Sequence, residues 1–422
     1  MRLKSLRDAK LTGKKVFFRV DYNVPLNSQN NITTVADDTR IKVTLPTIQY
    51  LIQKKAKVII VTHLGRPPGK KVNNLSIDPV LKRVSKLIGK KVYKTDEVVG
   101  SKVKTIVDSL KNGEVAMLEN TRFHPGEIKN DSGLAKQLAS LADIIVNDGF
   151  AIDHRDHASV SGVAKYLPMY AGFHLMLEVK MLTKLMTKPK RPFVAVIGGA
   201  KVSDKVAAIH NLAKVADAVL VGGGVANNFL KAGGVNVLSS YLQDTVADEK
   251  KRGVDFVKVA EELMKTFRSE KMLLHDYIPI PKIVAPVDVV AAKSINDVKT
   301  KKVIDLVNTK RNASINHKLM FLDIGPTTIK LFKDIISHAK TIFWNGPTGV
   351  FEKPAFATGT KEIAKSIAKS KSLSILGGGD TIAAIKKFKL ANKYDYVSSA
   401  GGAALDFLAG KKLPGLEPMR IK

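Results

Sequence analysis

Two groups of residues in this sequence have types and spacing suited to chemistry, and the first is rich in arginine and histidine. Its members lie mostly at or just after short apolar runs in the first half of the chain: Arg40, His63, Arg66, Arg122, His154 and Arg155. A guanidinium group binds phosphate or carboxylate through two parallel hydrogen bonds, so several of them together favour a small, doubly negative substrate. Taken singly, any one of them could instead form a surface ion pair.

The second group consists of glycine-rich turns in the second half of the chain. They lie at 198–199, 222–224, 325, 346 and 377–379. Glycine between a strand and a helix lets backbone N–H groups approach a ligand closely, and the helix N-terminus adds partial positive charge. Several such turns at one edge predict a polyphosphate site, although a single one could be structural. Neither G-x-G-x-x-G nor G-x-x-x-x-G-K-[ST] occurs at these turns, which indicates a nucleotide site of another design.

Charged side chains beside the glycine turns are candidates for phosphate and metal binding. Lys201 and Lys205, four residues apart at a predicted helix start, would share one helix face and could both reach phosphate oxygens, or could be solvated surface lysines. Asp380 is a candidate Mg²⁺ ligand, since Mg²⁺ in nucleotide sites takes one or two carboxylates, or alternatively a helix N-cap. His154 and His157 lack further ligands at suitable spacing, which disfavours a zinc site there.

The elements that must position these residues form two series of short apolar runs. Each run is followed by a polar or glycine turn and a longer amphipathic stretch, a pattern typical of parallel α/β sheets. The first series lies at 16–20, 58–61, 115–118 and 144–146, and the second at 193–197, 218–221, 283–284, 319–322, 341–343 and 373–376. Because ligands bind outside the carboxyl ends of the strands in such sheets, we expect each group of residues to converge at one sheet edge.

The length of 422 residues predicts two domains, since a single core stops growing well below that size. Between the two series, residues 173–187 carry apolar side chains at helical spacing and are followed by the Pro-rich stretch 188–192. The sequence therefore predicts an α/β protein with two parallel sheets joined by a helix.

The composition excludes several classes of protein. Sixty-nine Lys and Arg against 38 Asp and Glu give a formal charge of +31, which attracts anions, but the lysines are dispersed with little aromatic interleaving, unlike a nucleic-acid surface. The absence of cysteine excludes disulfides, thiol catalysis and cysteine-bound metal. No apolar run is long enough for a bilayer and the first residues are unlike a signal peptide, so we expect a cytoplasmic protein.

Several long motifs in a fixed order resemble the phosphoglycerate kinase family from end to end. They read RVDYNVP at 19–25, HLGRP at 63–67, ENTRF at 119–123, GGAKVSDK at 198–205, WNGP at 344–347 and GGGDT at 377–381. The resemblance implies two Rossmann-like domains: a phosphoglycerate-binding domain of residues 1–172 plus 405–422, with the C-terminal tail returning to it, and a nucleotide-binding domain of residues 188–404. It also implies closure of the two domains about the helix at 173–187.

The resemblance implies an enzyme that moves a phosphoryl group between 1,3-bisphosphoglycerate and ADP with Mg²⁺, giving 3-phosphoglycerate and ATP. Arg40 and Lys201 would stand at the transferred group, Glu352 would bind the ribose and Asp380 would bind Mg²⁺. The residues implied for phosphoglycerate are Asp21, Asn23, Arg40, His63, Arg66, Arg122 and Arg155. Those implied for the nucleotide are Gly199, Lys201, Lys205, Gly222, Gly223, Asn345, Pro347, Glu352, Gly377, Gly378, Gly379, Asp380 and Thr381. A monomer in the cytoplasm is expected.

Two stretches depart from the family pattern. The turn usually written TGGGA reads SAGGA at 399–403, where Ala400 adds a methyl group, and a stretch usually ending in TAHRAH places Asp153 and Asp156 beside Arg155. Two alternative functions follow. The charge of +31 would suit a basic nucleic-acid-associated protein, and the two departures would suit a catalytically inactive relative kept as a binding protein.

Overall fold

The computed structural model describes residues 1–29, 32–243, 253–275, 277–307 and 316–421. The chain forms two compact units: unit 1 contains Met1–Met181 and Lys412–Lys422, and unit 2 contains Leu182–Lys411. The division between them falls inside the helix α6 (Phe173–Thr187), the stretch to which the sequence analysis assigned the linking helix. No helix in the described ranges is long and apolar enough to cross a membrane.

Unit 1 is built on a six-stranded parallel sheet. Its strands are β1 (Lys15–Arg19), β4 (Lys57–Val61), β5 (Val92–Lys94), β6 (Val115–Met117), β7 (Ile144–Asn147) and β8 (Met169–Ala171), in the order β5-β6-β4-β1-β7-β8. The four inner strands are the four apolar runs of the first series. The edge strands β5 and β8, three residues each and only partly buried, were not predicted from the sequence.

The other elements of unit 1 surround this sheet. A hairpin is formed by β2 (Leu26–Gln29) and β3 (Ile32–Val35). The helices that begin in this unit are α1 (Thr39–Lys42), α2 (Leu45–Gln53), α3 (Asp78–Ile88), α4 (Ser101–Ser109), α5 (Ser132–Ala139) and α6. Apolar residues on α2 and α3, such as Ile48, Leu51 and Val80, are buried in the same core as Val16 and Phe18 of β1. This packing fixes the carboxyl ends of β1 and β4, where the candidate residues begin.

Unit 2 contains a second six-stranded parallel sheet. Its strands are β9 (Phe193–Ile197), β10 (Ala218–Val221), β13 (Ile283–Val284), β17 (Thr341–Asn345), β18 (Leu373–Gly377) and β19 (Tyr396–Val397), in the order β13-β10-β9-β17-β18-β19. Its helices are α7 (Val206–Val215), α8 (Gly223–Ala232), α9 (Phe256–Thr266), α10 (Pro326–His338), α11 (Thr358–Lys369), α12 (Gly379–Lys387) and α13 (Gly402–Leu408). The two sheets confirm the predicted α/β class.

One predicted strand of unit 2 belongs to a different sheet. The run at 319–322 forms β16 (Met320–Ile324), which pairs antiparallel with β14 (Asp288–Ala292), itself paired with β15 (Lys302–Asp305). The expectation that the turn at Gly325 joins the edge of the parallel sheet is therefore wrong, because Gly325 follows an antiparallel strand. A separate hairpin is formed by β11 (Lys271–Leu274) and β12 (Ile278–Pro281).

The C-terminal tail returns to unit 1, as the resemblance implied. The amide of Lys4 donates to the carbonyl of Met419 at 2.8 Å, and Ala171 of β8 donates to the carbonyl of Lys4 at 2.8 Å. Leu413, Leu416 and Met419 are buried. The tail therefore contributes apolar side chains to the core of unit 1 and is linked through Lys4 to the edge of its sheet.

Candidate active site

A hydrogen-bonded group of predicted residues lies at the carboxyl edge of the first sheet, where β1 is flanked by β4 and β7. The carboxylate of Asp21 forms an ion pair with the guanidinium of Arg40 on α1 and lies 3.9 Å from Nδ1 of His63. The side-chain oxygen of Asn23 accepts a hydrogen bond of 2.8 Å from the amide of Gly65. The loop after β1 and the loop after β4 are thus tied together at the point where the strand order changes direction, the usual ligand position in such sheets.

Arginine side chains make this edge strongly positive. Arg122 donates through one terminal nitrogen to the carbonyl of Gly65 at 2.8 Å, while its buried Nε and the buried Nε of Arg155 have no hydrogen-bond partner among the described residues. Burial, followed by the charges of Arg155 and Arg19, lowers the pKa of Arg122 to about 10. Burial and then the neighbouring charge of Arg66 lower the pKa of Arg155. Positive groups that are buried together and retain unused donors are suited to binding an anion.

The histidines near this edge are held in their neutral form. Burial, reinforced by the charges of arginines, lowers the pKa of His63 well below its usual value and that of His157 to about 4. At neutral pH they therefore offer hydrogen bonds and no positive charge. Within the described ranges, neither His154 nor His157 belongs to a group of three residues that could hold a metal ion.

A buried polar layer beneath these residues was not predicted. Arg19, in strand β1, is fully buried and donates through Nε to Oγ of Ser159 at 3.0 Å, and Ser159 also bonds the carboxylate of Glu127. Arg19 lies inside an apolar run, and a charged residue at a buried strand position is a sequence signal of a buried polar network, because a buried charge needs hydrogen-bonded partners. Glu127 carries no comparable signal, because it lies in a polar loop.

The two added carboxylates near Arg155 do not place negative charge on the anion site. Asp156 is exposed, and its carboxylate accepts hydrogen bonds from Asn130 and Ser161. Asp153 is buried and accepts a bond from Asn147 at 2.7 Å, and burial raises the pKa of its carboxyl to about 8. A carboxyl with this pKa is mostly protonated at neutral pH, so it adds little negative charge.

In unit 2, the glycine turns after β9 and β17 pack directly on one another. The amide of Gly198 donates to the carbonyl of Asn345 at 2.9 Å, and that of Gly199 donates to the carbonyl of Pro347 at 2.7 Å. A Cβ at Gly198 would lie 2.1 Å from the Pro347 oxygen, and one at Gly346, whose φ is +92°, would lie 2.2 Å from the Gly198 oxygen. These glycines are required for the turns to meet, whatever ligand binds above them.

The turn at the start of α12, unlike the turns after β9 and β17, leaves open space beside a glycine. No heavy atom lies within 4 Å of where a Cβ on Gly379 would stand, so this glycine leaves open space. The hydroxyl of Thr381 accepts from the amide of Gly346 at 2.6 Å, and the indole nitrogen of the buried Trp344 donates to the carbonyl of Gly346 at 2.8 Å. Asp380 lies in the first turn of α12, and the N-cap position is occupied by Gly378, so the N-cap alternative for Asp380 is wrong.

The two lysines after β9 do not lie on a helix. Helix α7 begins at Val206, with Lys205 as its N-cap residue and Lys201 in the preceding loop, so the expectation of a shared helix face is wrong. The ammonium group of Lys205 donates to the side-chain oxygen of Asn345. Burial lowers the pKa of Lys205 to about 8, opposed by the charge of Asp380. The side chain of Lys201 is exposed and makes no ion pair or hydrogen bond with the described residues.

Two adjoining cavities lie at this edge of unit 2, and Asp380 contributes to both. The larger, of about 340 Å³, is lined by Gly199, Gly223, Pro347 and Glu352 and by an apolar wall that includes Leu230, Val289 and Met320. The smaller, of about 150 Å³, is lined by Lys205, Asn345, Gly378, Gly379, Asp380, Thr381 and Gly401, among others. The sequence analysis did not predict the apolar wall, because apolar residues that line a cavity show the same sequence pattern as apolar residues of the core.

The departure at 399–403 leaves the backbone of that turn intact. Ala400 is buried and does not adopt a positive φ, whereas Gly401 does, at +54°. The glycine is therefore retained where the left-handed conformation needs it. Gly401 and Gly402 line the smaller cavity, so the turn still faces the space beside Asp380.

Comparison with known proteins agrees with this architecture. The family model for phosphoglycerate kinase matches residues 6–411. The chain is 43% identical over 422 residues to the phosphoglycerate kinase of Pelotomaculum thermopropionicum, covering 100% of both chains, and 44% identical over 418 residues to that of Moorella thermoacetica, covering 99% of both. The structure of phosphoglycerate kinase from Coxiella burnetii aligns with a TM-score of 0.80 at 36% identity over 99% of each chain. The crystal structure of the enzyme from Pyrococcus horikoshii aligns with a TM-score of 0.79 at 35% identity over 99% of this chain and 98% of the other. The chain therefore belongs to the phosphoglycerate kinase family and is a phosphotransferase of glycolysis.

Proposed function

We propose that unit 1 binds phosphoglycerate, that unit 2 binds the nucleotide with Mg²⁺, and that the chain transfers a phosphoryl group between 1,3-bisphosphoglycerate and ADP. The observation that carries the proposal is the accumulation of buried positive charge at the edge of unit 1. The pKa values of His63, Arg122 and Arg155 are all lowered, first by burial and then by neighbouring positive charges. A bound phosphate or carboxylate would relieve that repulsion and use the unpartnered Nε groups.

The phosphoglycerate site is proposed to consist of Asp21, Asn23, Arg40, His63, Arg66, Arg122 and Arg155. Arg40 is the member assigned to the transferred group. Its ion pair with Asp21 holds the guanidinium at the edge of the sheet, and about a third of its side chain remains exposed. Asp21 also lies 3.9 Å from His63, so one carboxylate positions a guanidinium and an imidazole together. A guanidinium held in this way can stabilise charge on a phosphoryl group without reorganising.

The nucleotide site is proposed to occupy the two adjoining cavities of unit 2. The apolar wall of the larger cavity suits a purine base, and Glu352, exposed on its rim, is assigned to the ribose. The glycine turns with Gly199, Gly222, Gly223, Pro347, Gly377, Gly378 and Gly379 are assigned to the phosphates, together with Lys205, Asn345 and Thr381. The buried amide nitrogen of Asn345, which has no hydrogen-bond partner among the described residues, is a donor available to a phosphate oxygen.

Asp380 fits the requirements of a Mg²⁺ ligand. Its carboxylate is exposed, borders both cavities and makes no hydrogen bond or ion pair with the described residues. Mg²⁺ in nucleotide sites is typically held by one or two carboxylates, with phosphates and water completing the octahedron. When bound there, Mg²⁺ would neutralise charge on the phosphates.

The reaction needs no general base from the protein. In the direction of ATP use, a carboxylate oxygen of 3-phosphoglycerate forms a bond to the γ-phosphorus while the bond from that phosphorus to the β-phosphate oxygen breaks, releasing ADP. The attacking carboxylate is already ionised at neutral pH. The protein therefore acts by positioning the two substrates in line and stabilising charge, the roles assigned to Arg40 and Lys201. We also propose that the enzyme works as a monomer in the cytoplasm.

The test is a coupled assay of ADP release from ATP, Mg²⁺ and 3-phosphoglycerate. The native chain is compared with Lys201→Ala and with Lys318→Ala, which removes another exposed lysine of unit 2. We expect turnover that depends on 3-phosphoglycerate, a fall of about 10²–10³-fold in kcat for Lys201→Ala, and no change for Lys318→Ala. An unchanged kcat for Lys201→Ala would reject the role of this lysine, and absence of turnover by the folded native chain would reject the activity.

A further inference from the structure

Three side chains with metal-binding groups converge on unit 2 away from the glycine turns. His275 lies just after β11, while Asp334 and His338 lie one helical turn apart at the end of α10. Nε2 of His275 is 3.1 Å from Oδ2 of Asp334, and Nδ1 of His338 is 3.8 Å from Oδ1 of Asp334. One ligand atom from each residue lies within 4.8 Å of the others, and no other group of three such residues does so in the described ranges.

The donor set matches the chemistry of zinc. Imidazole nitrogen and carboxylate oxygen both bind Zn²⁺ at about 2.0–2.2 Å, so donors around one ion are at most about 4 Å apart. Two histidines and one carboxylate leave a fourth position for water, as in other three-ligand zinc sites. The observed separations therefore require only small side-chain movements to surround an ion.

The contacts of His338 show what a metal ion would have to displace. The backbone carbonyl of Asp334 lies 2.9 Å from Nδ1 of His338, and it also accepts a bond of 2.7 Å from Oγ of Ser337. A carbonyl oxygen can only accept, so in the metal-free protein this contact places a proton on Nδ1. Because Nδ1 is also the ring nitrogen that lies 3.8 Å from Oδ1 of Asp334, zinc binding through it would displace this proton, as metal binding to imidazole generally does.

The position of the cluster in the fold adds electrostatic support and separates it from the candidate active site. The C-terminal end of a helix carries partial negative charge, which favours a cation there. Helix α10 ends at His338, and β17 begins at Thr341, so the cluster lies at the amino end of that strand. The glycine turns lie at the carboxyl ends of β9, β10, β17 and β18. A metal at the cluster therefore occupies the opposite edge of the parallel sheet.

We propose that His275, Asp334 and His338 bind one zinc ion, which fastens the β11–β12 hairpin to the end of α10. His275 is exposed and the other two are half-buried, so the ion reaches the site from solution. Because the ligands come from two separate elements, the bound ion stabilises unit 2 by an amount that grows with the logarithm of the zinc concentration relative to its dissociation constant. This inference is independent of the proposed substrates.

The test is zinc binding to the full-length, nucleotide-free protein in excess Mg²⁺, measured by competition with a chromophoric chelator. Three single variants are compared with the native chain: His275→Ala, Asp334→Asn and the control His317→Ala, which removes an exposed histidine of the same unit. We expect one zinc per chain, affinity at least about tenfold lower in the two cluster variants, and native affinity in the control. Zinc should also raise the melting temperature of the native chain but not of His275→Ala.

Substitution of Co²⁺ for zinc gives a readout of the ligands themselves. We expect visible absorption bands of Co²⁺ in a low-symmetry nitrogen and oxygen site for the native chain and for His317→Ala, and their loss in His275→Ala. Retained kinase turnover in each variant shows that it is folded, since none of these residues belongs to the proposed active site. Equal zinc affinity in the native chain and the cluster variants would overturn the proposal.

Discussion

At the scale of single residues, burial sets the charge state of several groups in this protein. Burial raises the pKa values of Asp148, Asp153 and Asp323 to about 7, about 8 and about 7, while the pKa of Lys205 is shifted in the opposite direction, to about 8. In each case burial is the largest cause, because it disfavours the charged form. These groups therefore titrate at about pH 7–8, whereas most carboxyls titrate at about pH 4 and most lysines above about pH 10.

The raised pKa of Asp153 predicts a pH-dependent contribution to stability. The pKa is 3.8 for an unperturbed Asp and about 8 in the folded protein, so folding takes up a proton between these values. The contribution is complete below about pH 4 and is lost as the pH rises through about 8. Asp153→Asn keeps an acceptor for Asn147 but cannot ionise. In urea unfolding, the free energy of unfolding of the native chain should therefore decrease relative to that of Asp153→Asn as the pH rises from about 4 to about 8. A difference between the two proteins that stays constant with pH would contradict the raised pKa.

The lowered pKa of Lys205 predicts a pH-dependent affinity for ADP. The ammonium group is charged below about pH 8 and loses its charge above it. A charge-assisted bond to phosphate contributes about 1.5–3 kcal/mol, so ADP affinity should fall about five- to tenfold from about pH 7 to about pH 9. Lys205→Arg should remove this slope, because a guanidinium stays charged throughout. Calorimetric titration with ADP and excess Mg²⁺ measures both, and an equal slope in the two proteins would count against the assigned role.

The sequence predicted which polar side chains lie together in the candidate site better than it predicted the apolar residues around them. Asp21, Arg40 and His63 come from separate segments, yet a motif match and the rule of carboxyl strand ends placed them at one edge, where the structure finds them in contact. The apolar wall of the larger cavity, with Leu230 and Met320, was not predicted. An apolar side chain that lines a cavity has the same sequence signature as one that fills a core.

At the scale of elements, the glycine turns of unit 2 divide into those required by packing and those that leave space. Gly198 has no room for a Cβ, because one would lie 2.1 Å from a backbone oxygen, whereas Gly379 faces open space at the start of α12. The same residue type therefore has two different roles within one edge of the sheet. Sequence alone does not distinguish them, since both follow an apolar strand.

A matched pair of alanine substitutions should separate these roles. Gly198→Ala should destabilise unit 2 by about 1–3 kcal/mol, because backbone atoms must move apart. Gly379→Ala should preserve or slightly raise stability, since alanine favours a helix, but weaken ADP binding by placing a methyl group in the proposed phosphate space. Urea unfolding and ADP titration of both variants measure the two effects. Full ADP affinity in Gly379→Ala would show that the open space is not used by the nucleotide.

The inner strands of both sheets and the edge strand β13 were predicted, but the other three edge strands were not. Runs of buried apolar residues, as in β1 and β9, give a strong signal, whereas the edge strands β5, β8 and β19 are two or three residues long and partly exposed. The run at 319–322 was correctly recognised as a strand but assigned to the wrong sheet. Apolar runs specify extended backbone and burial, and the pairing partner depends on contacts far away in sequence.

At the scale of the whole molecule, the two ends of the chain meet in unit 1. The last residues, 412–421, pack against the N-terminal segment and the loop after β7, where the amide of Gly415 donates to the carbonyl of Asp153 at 2.9 Å. Leu413, Leu416 and Met419 are at most 2% exposed. The core of unit 1 therefore includes buried side chains from residues 412–421.

The packing of the tail predicts that its buried and exposed residues differ in their contribution. Met419→Ala should lower the free energy of unfolding of unit 1 by about 2–5 kcal/mol through loss of buried volume. Ile421→Ala is the matched control, because Ile421 is 46% exposed and should contribute within about 0.5 kcal/mol. Urea unfolding followed by circular dichroism measures both. Equal stability of the two variants would mean that the tail is not part of the core.

The position of Trp344 gives this protein an optical property that its two units do not share. It is the only tryptophan in 422 residues, it is fully buried in unit 2, and its indole nitrogen bonds the backbone of the Gly346 turn. Tryptophan emission therefore reports on unit 2, and unit 1 contributes no tryptophan fluorescence. A fluorescence melt compared with one recorded by circular dichroism would resolve the unfolding of each unit without any label. The same fluorophore lies next to Asn345, so quenching or a spectral shift on adding ADP would report occupancy of the proposed nucleotide site directly.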